Sequence, residues 1–199
     1  MSNKAFNFLR ACDPILGAVV ERIGPLEERT SGGDHFAALC DIIIGQQLSV
    51  ASARAIKNRF RAHFGEAPEG ATVLEMNDEL AKSLGLSKPK ARYLKNLASH
   101  IVEGKLDMAH LETLSDDEIR AEIVAVKGLG PWSVDIFLMF HLKRPDVLPV
   151  GDLGIREAIK RLYILDARPE AGEMERISAS WRPQRTLASL YLWRFLDEK

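Results

Sequence analysis

Apolar residues recur at helical spacing along nearly the whole chain, and no stretch alternates with period two for long enough to make a strand. The pattern predicts a series of helices separated by Gly, Pro and capping residues. Asp13-Pro14 opens the first clear helix, with Ile15, Leu16, Val19, Val20 and Ile23 facing inward and Gly24-Pro25 ending it. Ser31-Gly32-Gly33 reads as a loop and a candidate boundary. Asp34 caps the next helix, from His35 to about Gln47. Its Phe36, Leu39, Cys40, Ile42, Ile43 and Ile44 make it apolar nearly all round, as a central buried helix should be. Gln46 and Gln47 are polar for so apolar a helix end. They suit either helix-end solvation or a polar loop aimed at a ligand. Ser49 caps Val50 to Phe64, an amphipathic helix bearing Arg54, Lys57, Arg59 and Arg61.

The second half continues in the same way. Asn77 caps a short helix ended by Gly85, and Ser87-Lys88-Pro89 starts a longer one that runs to Gly104. Ser115-Asp116-Asp117-Glu118 is a capping box for Ile119 to Val126. Pro131 to Lys143 is strongly apolar, and Pro145 to Gly151 reads as a linker. Asp152 to Tyr163 is a helix, Pro169 opens another, and the last begins near Trp181-Arg182-Pro183.

Composition narrows the class. An apolar fraction of 46% over 199 residues fits one domain or two closely packed lobes, not a disordered chain. No apolar run approaches the roughly 20 residues needed to span a bilayer. The start, Met-Ser-Asn-Lys-Ala-Phe, lacks a secretory signal, so a cytoplasmic protein is expected, nucleoid-associated if bacterial. Cys12 and Cys40 make neither a disulfide framework nor a zinc site; both are expected as small buried apolar residues. The net charge of −1 argues mildly against nucleic acid. Locally, however, Lys82, Lys88, Lys90, Arg92, Lys95 and Lys105 stand against a single Glu103, while acids gather at 66–79, 112–122 and 170–175. That separation suits either one basic binding face or a solvated helix face.

The stretch from Val126 to Asp152 carries the candidate chemistry. Gly128-Leu129-Gly130 is a tight hairpin between two helical runs, since glycine reaches positive φ without a Cβ clash. Pro131 suits the first turn of the following helix. The hairpin amides and the new helix N-terminus can face an anion together, such as a DNA phosphate. A lone carboxylate, Asp152, then opens a helix. Separately these are a turn and an N-cap.

In order and spacing, three blocks resemble the helix-hairpin-helix (HhH-GPD) superfamily of DNA glycosylases, and within it the AlkA-type 3-methyladenine branch. They are Ile44-Gly45-Gln46-Gln47-Leu48-Ser49-Val50, the stretch from Val126 to Asp152, and Trp181-Arg182-Pro183 through Trp193. The resemblance covers the chain from about residue 34 to the end. It implies an all-α fold of two helical lobes with a cleft between them. Residues 34–144 would form the central lobe with the helix-hairpin-helix, and 1–33 plus 145–199 the other, in a compact form without the N-terminal mixed domain of larger members. The resemblance makes Asp152 the catalytic carboxylate. Gln47 would wedge into the gap left by an extruded base, with Ser49 near the minor groove beside it. Trp132 and Trp193 would line the base pocket, and Ile136 stands where better-known relatives carry an aromatic. Gly128, Leu129 and Gly130 would give backbone contacts to phosphate, with Lys127 beside them. In many relatives hairpin carbonyls hold a monovalent cation; the matching ones belong to Val124, Val126 and Leu129. No cofactor is otherwise required, and the C-terminus lacks the cysteines of the iron–sulfur branch.

The implied activity is monofunctional removal of alkylated bases of the 3-methyladenine and 7-methylguanine type. Double-stranded DNA with damaged bases is the implied partner, with no membrane, and a monomer is the default. Breaking an N-glycosidic bond leaves positive charge on the sugar, which a nearby carboxylate stabilises while it orients water. Bifunctional members place a lysine just after the hairpin as a Schiff-base nucleophile. Trp132 stands there instead, and indole cannot do that chemistry. An alkylated purine is cationic, and aromatic faces attract cations. Two readings remain beside this one: a glycosylase for uracil, hypoxanthine or an oxidised purine, and a non-catalytic helix-hairpin-helix DNA-binding module.

Overall fold

Side-chain caps punctuate the chain where the sequence places them. In the computed structural model, which describes residues 3–27 and 32–198, no strand occurs among the described residues. The helices are α1 (Asn3–Cys12), α2 (Pro14–Ile23), α3 (His35–Gly45), α4 (Val50–Phe64), α5 (Gly70–Leu74), α6 (Asp78–Leu84), α7 (Lys88–Val102), α8 (Asp116–Val124), α9 (Pro131–Phe140), α10 (Leu153–Leu162), α11 (Ala171–Ile177) and α12 (Arg185–Asp197). Short 3-10 turns lie at Leu111–Thr113 and Ser178–Trp181. Asp13, Asp34, Ser49, Asn77, Ser87 and Asp152 all accept first-turn amides. Both halves of the Ser115–Glu118 capping box form. Helix α1, short α5 and the 3-10 turn at Leu111–Thr113 are additions to the elements the pattern predicts. The predicted loop at Ser31-Gly32-Gly33 falls partly outside the described residues; Gly32 and Gly33 both have positive φ.

By contacts the chain divides into a terminal unit, Met1–Thr30 with Leu138–Lys199, and a central unit, Ser31–Phe137. The central unit is built on α3, as its all-round apolar character requires. Phe36, Leu39, Cys40, Ile43 and Ile44 are buried, with Phe60 of α4, Leu94 and Leu97 of α7, and Ile119 and Ile123 of α8. Cys40 is thus a core residue, while Cys12 is only partly buried. The terminal unit packs α1, α2, α10 and α12 around Leu9, Leu16, Val20, Ile159, Trp181 and Tyr191.

Two expectations need correction. Helix α9 stops at Phe140 rather than Lys143, because Lys143 takes positive φ (53°) and the Arg144 amide turns back to the Leu138 carbonyl at 2.9 Å. Residues 138–144, read from sequence with the central lobe, belong with the termini. The reason lies in the stretch read as a linker. Thr186 donates its hydroxyl to the Arg144 carbonyl (2.6 Å) and its amide to the Pro145 carbonyl (3.0 Å), and its hydroxyl accepts the Val147 amide (3.0 Å). Asp146 accepts from the buried Arg185 Nε at 2.8 Å, and Arg182 and Glu175 complete the ion cluster. Burial pushes the Asp146 carboxyl up, but the Arg185 hydrogen bond and charge outweigh it and hold the group below its ordinary range. The segment leading to Asp152 is therefore clamped to the start of α12.

Asp13 does comparable work. The residue is 8% exposed. It accepts the Ile15 and Leu16 amides, the Tyr163 hydroxyl (2.6 Å) and the Trp181 indole N–H (3.0 Å). Burial pushes its carboxyl up, yet the Trp181, Tyr163, Leu16 and Ile15 donors prevail and leave it below its ordinary value. A depressed carboxylate contributes stability above the unfolded-state value and loses it as pH falls through the folded-state value. We expect Asp13→Ala to strand two buried donors and a helix start, at a cost of roughly 2–4 kcal/mol in unfolding experiments. For Asp13→Asn, the stability deficit against wild type should be full at neutral pH and shrink as pH drops below about 4.

Candidate active site

Asp152 sits at the N-cap of α10 with extended backbone (φ −78°, ψ 118°). Its own amide donates to the Pro149 carbonyl at 2.9 Å, which closes the turn after the clamped segment. Oδ1 accepts two bonds: the Ile155 amide at 2.8 Å and the Trp193 indole Nε1–H at 3.0 Å. The carboxylate is partly exposed and lies on the positive end of the helix dipole. Oriented donors of this kind set the plane of a carboxylate.

Trp193 is thus more than a core residue of α12. It is partly buried, it donates to Asp152, and its ring stacks on Phe140 at a centroid distance of 6.0 Å and an interplanar angle of 23°. Gly154 makes the arrangement possible. A Cβ there would meet Asp152 Oδ1 at 3.0 Å and Trp193 Cδ1 and Nε1 at 3.4 Å. Sequence reasoning missed Gly154. The signal was a glycine in the first turn of a helix, where helix propensity disfavours it.

The central unit holds the other predicted residues. In the hairpin only Gly128 needs its glycine conformation (φ 111°), and a Cβ there would also collide with the Tyr93 ring. Gly130, expected to share in the reversal, has no positive φ and faces open space. Leu129 is 3% exposed, so only its backbone can serve a ligand; Lys127 is exposed. The Val126 carbonyl accepts the Leu129 amide at 3.0 Å. Val124 is 42% exposed at the end of α8. The first intrahelical bond of α9 runs from the Val134 amide to the Gly130 carbonyl at 3.2 Å, so the amides ahead of it point out of the helix start. Trp132 lies on that first turn, 37% exposed. Ile136, one turn on, is partly buried. Beneath them Asp135 is buried and ion-paired with Arg120, which ties α8 to α9 on either side of the hairpin.

Gln47 is exposed and sits at positive φ (55°), a conformation that a non-glycine residue adopts only when its surroundings impose it. Leu48 and Val50 beside it are exposed apolar residues. Ser49 is exposed; its hydroxyl caps α4 through the Ser52 amide (3.2 Å) and meets the Ser52 hydroxyl at 3.0 Å. Gln46 behaves differently from its neighbour. Its Nε2 donates to the Gly128 carbonyl (2.9 Å) and to the Ser133 hydroxyl (3.2 Å), so its amide turns inward to the hairpin. Of the basic run, Lys90 donates to the Ile44 carbonyl at 2.8 Å, and burial lowers its pKa. Lys105 pairs with Glu103. Lys82, Lys88 and Arg92 are exposed.

The comparisons with known proteins agree with this layout. The family described as HhH-GPD superfamily base excision DNA repair protein matches residues 40–184. A Bacillus subtilis protein provisionally named a DNA-3-methyladenine glycosylase is 36% identical over 162 residues, which are 78% of this chain and 56% of that protein. The DNA-3-methyladenine glycosylase 1 of Schizosaccharomyces pombe is 32% identical over 164 residues, 81% of this chain and 72% of the relative. The chain therefore spans a little over half the length of the first relative and under three quarters of the second. Among solved structures, the S. pombe 3-methyladenine DNA glycosylase in complex with abasic DNA superposes with a TM-score of 0.87 at 30% identity, covering 96% of each chain. With the hairpin, the carboxylate and the all-helical frame in place, these matches establish that the chain belongs to the HhH-GPD superfamily of base excision DNA repair proteins.

Proposed function

We propose that this protein is a monofunctional DNA glycosylase that extrudes alkylated purines and hydrolyses their N-glycosidic bond. The observation that carries the reading is the Asp152 carboxylate, held at a helix N-terminus by the Ile155 amide and the Trp193 indole. A group so oriented can stand beside a sugar on which positive charge develops, and can orient or deprotonate the attacking water. The bond to the base breaks as the sugar becomes cationic, and the base leaves with the electron pair. Water then adds its oxygen to the anomeric carbon and gives a proton to the carboxylate. A base already cationic from alkylation departs without help from a strong acid. The names of the two relatives, both DNA-3-methyladenine glycosylases, support that substrate class.

The central unit would bind the DNA. The amides of the hairpin and of the first turn of α9 suit a backbone phosphate, and Lys127 adds a positive charge there. A neutral carbonyl oxygen has a second lone pair, so the Val126 carbonyl can accept the Leu129 amide and still ligate. The carbonyls of Val124, Val126 and Leu129 would hold a monovalent cation, which would supply one more positive charge beside the phosphate. Gln47 would enter the duplex where the base leaves, since unstacking a base opens a gap that must be filled. Trp132 would offer its exposed face to the cationic base. An indole at this position leaves no amine for a Schiff base, so the product is an abasic site in an intact strand.

Duplexes that each carry one defined lesion test the reading, run with and without alkali. We expect release from the 3-methyladenine and 7-methylguanine duplexes, strand scission only after alkali, and no covalent adduct on borohydride treatment. Release only from uracil, hypoxanthine or oxidised-purine duplexes would overturn the substrate class. Asp152→Asn should lower single-turnover release by about 10²–10⁴-fold with abasic-duplex binding retained. Unchanged release in that variant would leave a binding module.

A smaller effect should follow at the supporting groups. Trp193→Phe removes the indole donor, and Gly154→Ala forces a methyl against Oδ1 and the indole. Each should slow release by about tenfold, equivalent to one hydrogen bond of roughly 1.4 kcal/mol to a charged group, without weakening DNA binding.

A further inference from the structure

Two tight turns of the central unit are joined by one side chain. Gln47 and Gly128 both take positive φ (55° and 111°), and Gln46 reaches from beside the first to the second. Its Nε2 lies 2.9 Å from the Gly128 carbonyl oxygen and 3.2 Å from the Ser133 hydroxyl, 82 and 87 residues away in the chain. Ser133 is 2% exposed, so this amide bridges the hairpin and the buried side of the first turn of α9. Neighbouring bonds brace the same junction. Lys90 holds the Ile44 carbonyl at 2.8 Å, and Asn96 Nδ2 holds the Lys127 carbonyl at 3.3 Å. All three donors belong to side chains, and all three hold backbone carbonyls of the two turns or the residues leading into them.

We propose that Gln46 is a positioning residue that locks the base-extruding turn to the phosphate-gripping hairpin, an inference that rests on the glycosylase reading above. A side chain pushed into a duplex meets a restoring force from stacking and pairing. That force must be borne by a part of the protein that holds the strand. The hairpin is that part, and Gln46 is the side-chain bond between it and the residue next to Gln47. A non-glycine left-handed conformation costs about 1–2 kcal/mol and persists only where its surroundings impose it. Without the Gln46 bond, Gln47 can relax and the wedge yields before the base does. The lock should matter when a paired, stacked base must be displaced. It should not matter when the lesion is already unpaired.

That contrast makes the test. Gln46→Ala removes the donor, and Gln46→Glu keeps the shape but sets an acceptor against the Gly128 carbonyl. Single-turnover release is measured from one alkylated purine in a duplex and in a single strand, with melting temperatures as a control. Extrusion is read separately from the fluorescence of a paired 2-aminopurine at the target position of bound duplex, which rises as that base leaves the stack. We expect both variants to lose about tenfold on the duplex, roughly 1.4 kcal/mol of coupling, and to stay within about twofold on the single strand. The fluorescence change should shrink in parallel. Equal losses on both substrates, no loss on the duplex, or melting so low that neither variant is folded would each overturn the proposal. If the wild type releases no base at all, the glycosylase reading falls. The fluorescence then decides the coupling, and an unchanged signal in both variants overturns it.

Discussion

One oxygen of Asp152 serves two donors, the Ile155 amide and the Trp193 indole, and the start and middle of α12 support that contact. The turn that presents Asp152 is held by the clamp of residues 144–147 onto the start of α12. The same helix carries Trp193 two turns later. The clamp on the segment before Asp152 and the indole that bonds its carboxylate therefore both come from α12. Gly154 completes the fit by leaving space that any other residue would fill.

Asp13 gives a useful contrast, because it uses the same parts for a different purpose. It too caps a helix, and it too accepts an indole N–H, from Trp181. But it takes four donors across both oxygens and is nearly closed to solvent. Every described bond at Asp13 adds to the packing of the terminal unit. At Asp152 the Ile155 amide and the Trp193 indole meet the same oxygen, Oδ1, and the residue is partly exposed. An N-capping aspartate is thus not by itself evidence of chemistry or against it. What separates the two is exposure: Asp13 is closed into the core, and Asp152 is open in part to solvent.

The local fold was legible wherever one residue type has one physical use. Asp13, Asp34, Ser49, Asn77, Ser87, Ser115 and Asp152 cap helices because short oxygen-bearing side chains satisfy first-turn amides. The apolar circumference of α3 announced a buried helix. Reading failed where a residue's use depends on distant partners. Gln46 and Gln47 are adjacent and identical in type, yet one faces solvent and the other turns inward to Gly128. The linker at Pro145 looked loose because its clamp, Thr186 and Arg185, lies some forty residues further on. For the same reason the end of α9 was placed too late. Leu142 keeps an apolar residue beyond the helix end, while the stop comes from the Lys143 backbone and a returning amide.

Charge illustrates the same limit from another side. Six cations between Lys82 and Lys105 suggested a basic face, but a cation counted in sequence is not yet one presented to a ligand. Lys90 is turned into the Ile44 carbonyl and Lys105 is paired with Glu103, while Arg59 of α4 holds the Leu84 carbonyl at 2.9 Å. These bonds position backbone. On the proposed reading, the central unit would depend less on long cationic side chains and more on helix termini, hairpin amides and a few exposed charges such as Lys127. Such groups are held by the fold, so they lose little conformational freedom when an anion arrives, whereas a lysine must be ordered from many rotamers. A chain with net charge −1 can therefore still be built to grip a phosphate, provided that its donors are backbone N–H groups aimed in advance. On the same reading, Gln46, Lys90 and Asn96, which hold carbonyls of these turns or of the residues leading into them, would keep that aim.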